Sequence, residues 1–598
     1  MNDFINKAID RLCLFLFLIL ISFPIFQILS RYIDFFSIPA SQQIVQHMTL
    51  WIGFVGAIIA TRSNKLLSIV REPVFRSSDS NSLPHFLVHA FSVAMVFILS
   101  ISYLKMILIG IQYPEYIAPY VTTWFAQSII PLGLMLIWYQ MIITSSTNFK
   151  YRILLVIVSI VPAITLYYWQ FPLANSFLLW TKVISALALV AFGLPIFVFL
   201  ASLSVFFFLS EPTDWATNFD LISTISDSAY RIVVSPTLAA IPIFTLAGYI
   251  LAESNISERL INFFKASVGW LPGSSVLIVV LLCAFFTALT GGSGVTILAL
   301  GAILYPILIH DGYTERFSLG IITTAGSLGL LFPPSLPAII YSVTAGINPL
   351  EFFRQALVPA IFLMSIMFFY GLYKKPKTDI KQKFILKDAI LTGKIAKWEI
   401  AVPFLIILSI FTGFATLVES AALLVLYVLM VEVVIFKDIS FNDIPKIIIN
   451  CSTLVGGVLI ILGFAMGFTG YLVDAQIPLK ILNFVQSTIT SKIIFLFALN
   501  ILLLIVGCLM DIFSAIIVVV PLIAPLAIYF GIDPFHLAII FIANLELGYI
   551  TPPVGMNLYL SSYRFEKDMP TIYSATLPFF LLRLFGVFSI TYIPLFFY

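Results

Sequence analysis

Long apolar blocks separated by short polar loops set the pattern of this chain. Residues 12–30 contain no Asp, Glu or Lys, and residues 266–310 contain no charged residue at all. A helix needs roughly 20 apolar residues to cross the hydrocarbon of a bilayer, and counting blocks of that size gives about fifteen or sixteen crossings. The first 150 residues predict four spans, near 12–30, 44–61, 86–109 and 125–144. A fifth, near 153–171, carries the chain into a larger module from about 183 to 598. The opening stretch lacks a small-x-small cleavage site, so it is expected to be a retained first span.

Two blocks depart from simple crossings. The uncharged block 266–310 is too long for one span, and Thr290-Gly-Gly-Ser-Gly294 breaks its middle. The block 493–532 is charged only at Asp511, near its centre. Both predict re-entrant helical hairpins. Each is followed by a span interrupted at Gly and Pro, in AGSLGLLFPPS (325–335) and in ANLELGYITPPVGMN (543–557). A shift of 219 residues lays one region on the other without a gap. Ile297 then meets Ile516, Pro306 meets Pro525, Gly312 meets Gly531, Leu328-Gly329 meets Leu547-Gly548, and Pro333-Pro334 meets Pro552-Pro553. A weak internal repeat with interrupted helices in corresponding places is typical of secondary transporters. The halves of the module run from about 183 to 373 and from about 398 to 598, so the expected fold is an all-α polytopic membrane protein built on a repeat.

Composition agrees. The chain has 598 residues, 61% hydrophobic and 10% charged, whereas soluble domains carry about 25% charged residues. Basic residues collect in short loops, from Arg62 to Arg76 and from Lys374 to Lys397, where eight lysines stand with two aspartates. The positive-inside rule places both loops in the cytoplasm, and the position of the lysine run between spans argues for topology rather than for nucleic acid. Cys13, Cys283, Cys451 and Cys508 have no ligand spacing, and the five histidines form no cluster, so neither a disulfide nor a bound transition metal is expected. No nucleotide loop, dinucleotide fingerprint or nucleophile triad is present, and the chain does not read as an enzyme.

The breaks supply the chemistry. Proline removes a donor and leaves carbonyls about one turn earlier unpaired. Such carbonyls are hard oxygen ligands suited to Na⁺, while half-helix N-termini suit a carboxylate. Glu419, Asp511 and Glu546 stand alone in apolar sequence, where ionisable residues point to function. For Glu419 and Glu546, a structural carboxylate satisfied by backbone amides is an equal reading. Ser293, Ser335, Asn544, Thr551 and Asn557 are candidate polar liners.

FTALTGGSGVTILALG, AGSLGLLFPPSLPAIIY, TLVESAAL and IANLELGYITPPVGMNLYLSSYRF occur in that order. Together they resemble the large membrane subunit of tripartite ATP-independent periplasmic (TRAP) transporters over about residues 183–598. Residues 1–150 resemble the small four-helix subunit through Arg31-Tyr32, Trp51-x-Gly-x2-Gly56 and Arg62-x2-Lys65, with Gln42-Gln43 where small subunits often carry an acidic pair. Residues 151–182 are the connection that a fused permease needs.

The resemblance implies an inverted-repeat, elevator-type transporter in the bacterial inner membrane, with Na⁺ as coupling ion and no other cofactor. It implies a periplasmic binding protein as partner and a small carboxylate, such as a C4-dicarboxylate or sialic acid, as substrate. By motif position, one Na⁺ site would involve Thr287, Thr290, Gly329, Phe332 and Pro334, and the second Gly507, Gly548, Thr551 and Val554. Ser335, Glu419 and Asp511 would stand near the substrate or the hairpin gates. Two other readings fit the same residues: an anion transporter independent of any binding protein, and a membrane scaffold that does not transport.

Overall fold

In hydrocarbon no water is available to backbone N–H and C=O groups, so a spanning segment must satisfy them internally as helix. The computed structural model follows that rule. It describes residues 2–31, 33, 39–66, 68, 83–118, 121–146, 148–168, 176–210, 217–376, 384–489, 491–510, 512–552 and 555–596. Among these the single sheet is a two-stranded ribbon, Tyr116–Ala118 with Val121–Thr122. Eleven described helices are long and apolar enough to cross a membrane, or twelve if a bent pair counts as one span. The larger number from block counting includes segments that fold as shorter apolar helices, among them Ser274–Thr290 and Pro534–Gly548. Glycine and proline cut these blocks before they reach full spanning length.

By packing, the chain forms two compact units. The first comprises Met1–Pro242 and Pro445–Lys480. Its helices Asn2–Ser30, Ser41–Arg62, Leu83–Gln112, Thr123–Ser145 and Phe149–Tyr168 occupy the places of the five expected spans. Lipid tails are as apolar as leucine, so helix association here relies on close packing and small residues. At the crossing of Ser41–Arg62 with Ile444–Asp474, a methyl group on Gly56 would lie 2.3 Å from the Ser452 carbonyl. One on Gly456 would lie 2.1 Å from the backbone of Gly56. Nearby, Trp51 donates its indole N–H to the Ala126 carbonyl (3.0 Å), His47 Nε2 and the Tyr230 hydroxyl form a hydrogen bond (3.0 Å), and Arg62 pairs with Asp10 (2.8 Å).

The second unit comprises Ile243–Ile444 and Ile481–Tyr598 and contains both predicted hairpins. The first has arms Ser274–Thr290 and Ser293–His310, and the second has arms Lys492–Leu509 and Ile512–Tyr529. The 219-residue shift that aligns the sequences carries Ser293–His310 onto Ile512–Tyr529, and carries Pro349–Tyr373 to within a residue of Met569–Tyr592. Gly312 and Gly531, matched by the same shift, both turn the chain with positive φ (87° and 65°). The repeat is therefore structural, and its halves interlock. The second arm of the first hairpin packs on Met556–Phe565, beyond the second break. The second arm of the second hairpin packs on Leu336–Ala345, beyond the first break.

Candidate functional site

The first hairpin turns where the sequence breaks. Gly291 takes φ +67°, a conformation L side chains rarely adopt, and a methyl group there would lie 2.5 Å from Leu336 Cβ. The arm that follows starts at Ser293 without a side-chain cap, leaving helix N-terminal amides available to an anion. The second hairpin breaks between Leu509 and Ile512. Asp511 itself, and Val554 with Pro553 at the second break, lie outside the described residues.

The first broken span runs as Glu315–Ala325, a tight 3₁₀ turn Leu328–Leu331, and Leu336–Ala345, bent by 44° across the break. The second runs as Pro534–Gly548 and Met556–Phe565. Each break rests on the first arm of its own hairpin through a glycine. A methyl group on Gly329 would lie 2.3 Å from the Ala284 carbonyl and 2.6 Å from the Ala288 amide. One on Gly548 would lie 2.5 Å from the backbone of Gly507. Ala288 and Gly507 are themselves matched by the repeat shift, so the two contacts are one contact made twice. This juxtaposition holds the backbone of Gly329 against Thr287, and that of Gly548 against Gly507.

The carbonyls expected to be bare are not wholly so. Gly329 O accepts from Phe332 N (3.1 Å), Phe332 O from Ser335 N (2.9 Å), Gly548 O from Thr551 N (3.0 Å) and Thr287 O from Gly291 N (2.9 Å). The chain tightens into short turns around each break and recovers one hydrogen bond per carbonyl. A carbonyl oxygen has two lone pairs, so each retains one that a cation can use.

Side chains tie these pieces together. Thr287 Oγ1 donates to the Gly326 carbonyl and lies 2.7 Å from Thr296 Oγ1, joining both arms of the first hairpin to the first break. Thr290 Oγ1 donates to Phe286 O within its own helix, and Thr551 Oγ1, in the second break, donates back to Leu547 O near the end of Pro534–Gly548. Ser293 donates to Asn557 Oδ1 (2.7 Å), and Asn557 Nδ2 donates to the Thr323 carbonyl (3.2 Å). This brings two expected liners together, one at the first hairpin tip and one beyond the second break. The Ser335 hydroxyl is fully buried and has no partner among the described residues. Asn544 Nδ2 donates to Asn500 Oδ1 (2.8 Å), and Pro334 lies in the first break behind a cis bond.

Glu419 serves its own helix. Its carboxylate accepts from Thr416 N (2.8 Å), and Thr416 Oγ1 accepts from Glu419 N, forming a capping box at Leu417–Leu429. Glu546 forms a fully buried ion pair with Arg583, a residue not singled out from sequence. A lone intramembrane carboxylate calls for a partner, and Arg583 in LLRLFGVF is an isolated cation in an apolar block. A second unforeseen cluster sets Arg259 against Glu399, Glu432 and Asp438.

A cavity of about 440 Å³ opens beside Phe332 and Pro333. Its walls are apolar, from Val280, Ala284, Ile361, Phe368 and Ile406 among others, and such a lining offers little to a carboxylate. Among the described residues no cluster of His, Cys, Asp and Glu is arranged to hold a metal ion.

Comparison with known proteins agrees with this architecture. The family described as "Tripartite ATP-independent periplasmic transporter, DctM component" matches residues 183–596. The C4-dicarboxylate TRAP transporter large permease protein DctM of Pseudomonas aeruginosa is 32% identical over 360 residues, covering 60% of this chain and 84% of that protein. Its namesake from Rhodobacter capsulatus is 30% identical over 430 residues, covering 68% and 95%. The isethionate TRAP transporter permease protein DctMQ of Oleidesulfovibrio alaskensis is 29% identical over 377 residues, covering 62% and 59%. With its many apolar spans, the chain is a multi-pass permease of the bacterial inner membrane, and it belongs to the DctM-component family of tripartite ATP-independent periplasmic transporters.

Proposed function

We propose that this chain is the fused membrane component of a Na⁺-driven importer of a small organic anion, delivered by a periplasmic binding protein. Residues 1–150 stand in for the small subunit, 151–182 connect, and 183–598 form the transport module. The observation that carries the reading is the duplicated glycine contact, Gly329 on Ala288 and Gly548 on Gly507. It sets two sharply turned backbones beside two hairpins at equivalent places.

In this reading one Na⁺ takes carbonyl oxygens from Thr287, Thr290, Gly329, Phe332 and Pro334, and another from Gly507, Gly548, Thr551 and Val554. Hard oxygen donors in a compact turn suit a small, weakly polarisable cation. The substrate carboxylate meets the uncapped N-termini at Ser293 and Leu336, with the buried Ser335 hydroxyl as a further donor. The N-terminal helices stay fixed in the membrane while hairpins and broken spans carry the anion across. A C4-dicarboxylate is the first substrate to test, because two of the relatives are named for it.

Uptake into proteoliposomes, with and without the binding protein, tests this. The expected result is accumulation of a labelled C4-dicarboxylate or another small organic anion only when an inward Na⁺ gradient and loaded binding protein are both present. Uptake without the protein would favour an independent transporter. No uptake of any small organic anion under any gradient would remove the transport reading.

A further inference from the structure

One buried cation touches both breaks. Arg583, on the last long helix Met569–Tyr592, is wholly buried. One of its terminal nitrogens donates to the Glu546 carboxylate. The other donates to Ser327 Oγ (2.9 Å) and to the Thr324 carbonyl (3.4 Å). Ser327 and Glu546 are matched by the 219-residue repeat shift, each two residues before the glycine of its break. The guanidinium therefore bridges corresponding points of the two repeats. Its own equivalent in the first repeat is Met364, so a single arginine serves both.

Stability alone is a poor account of this arrangement. A buried ion pair gains little over a well-packed apolar pair, because desolvation offsets the attraction. Here the network is also incomplete: Arg583 Nε and Glu546 Oε1 have no hydrogen-bond partner among the described residues. The bridge is rigidly mounted. The last helix packs so tightly on Glu315–Ala325 that a methyl group on Gly320 would lie 2.2 Å from the Ala575 carbonyl.

We propose that Arg583 is a positioning residue that couples the two breaks, holding Ser327 and Glu546 at a fixed separation so that filling one cation site raises the affinity of the other. The role rests on the sodium reading above. A shift of the turn at Leu328–Leu331 moves Ser327, pulls on the guanidinium and reaches Glu546 and the turn after Gly548. The path consists of contiguous hydrogen bonds across one buried side chain, and coupling of this kind is reciprocal.

The test needs neither substrate nor partner. Cys508 adjoins Gly507 and is the least buried of the four cysteines, at 9% exposure. Its maleimide labelling in purified protein, titrated with Na⁺, reads the second site. Ser327→Ala removes the 2.9 Å bond to the first break, leaves only the longer 3.4 Å bond to the Thr324 carbonyl beside it, and spares the ion pair. The double variant Glu546→Gln/Arg583→Gln removes the bridge without stranding a charge. Folding of both is checked by size exclusion.

Wild-type protection is expected to be sigmoidal in Na⁺. In both variants the curve should become hyperbolic, with its midpoint raised about fivefold or more, the low end of ordinary coupling. A merely structural role at the first break would leave protection at Cys508 unmoved. Sigmoidal curves of wild-type midpoint in both variants would overturn the coupling while leaving sodium binding intact. Wild-type labelling indifferent to Na⁺ would overturn the sodium reading and the coupling with it.

Discussion

Gly329→Ala and Gly548→Ala probe the duplicated contact most sharply. A methyl group at 329 would lie 2.3 Å from Ala284 O, 2.6 Å from Ala288 N and 2.7 Å from Thr287 Cβ, and at 548 it would lie 2.5 Å from both Cα and C of Gly507. Ordinary contact begins near 3.4 Å, so each break must retreat from its hairpin by about 1 Å, backbone against backbone, with no flexible side chain to yield. Overpacking of this kind costs about 1–3 kcal/mol. If the displacement falls on the ion site, that is on the order of 5- to 150-fold in Na⁺ affinity. The assay is the thermal midpoint of purified protein as a function of Na⁺ at constant ionic strength, since a ligand bound only to the folded state raises it by mass action. Each variant is expected to need at least fivefold more Na⁺ for the half-maximal shift. Gly470→Ala is the control, because the nearest atom to its added methyl is Ser228 Oγ at 3.7 Å, and it should titrate like the wild type. Unchanged Na⁺ midpoints in both Gly329→Ala and Gly548→Ala would refute the assignment of the breaks as cation sites.

Three further outcomes follow from the packing. Gly56→Ala presses on the Ser452 carbonyl and should destabilise the first unit by about 1–3 kcal/mol, read as faster proteolysis within residues 1–242. Thr416→Ala removes one half of the capping box and should lower stability by about 1 kcal/mol; Na⁺ dependence that collapses in this variant would favour the gate role of Glu419 over the purely structural one. Arg259→Met strands two carboxylates whose side chains are wholly buried, Glu399 and Glu432, and should cost about 3–5 kcal/mol, seen as a large fall in thermal midpoint. The same substitution combined with Glu399→Gln and Glu432→Gln should recover most of that loss.

Much of the fold was legible because the bilayer demands it. The five N-terminal helices match continuous apolar runs, which admit no other structure in hydrocarbon. The hairpin breaks were visible as Gly-Gly and as a solitary aspartate in long apolar blocks, and the repeat as prolines and glycines at a constant offset. The state of the carbonyls was not visible, because a proline predicts the loss of one hydrogen bond but not the 3₁₀ turn at Leu328–Leu331 that replaces it. Long-range polar partners were also hidden. Nothing local joins Glu546 to Arg583 or Arg259 to Glu399, Glu432 and Asp438, whereas the Thr416-x-x-Glu419 capping box is a local pattern whose function as a helix start is written in four residues. The cross-packing of each hairpin on the other repeat's broken span follows from the duplicated architecture and no single segment encodes it.

If ions held at the two breaks drive the organic anion across the membrane, the two must cross together. Dual-label flux into proteoliposomes, following ²²Na⁺ together with a labelled C4-dicarboxylate in the presence of the binding protein, measures this coupling. Neither label is expected to enter without the other, and Gly329→Ala/Gly548→Ala is expected to suppress both. Anion accumulation in Na⁺-free buffer, or with no accompanying entry of ²²Na⁺, would contradict it.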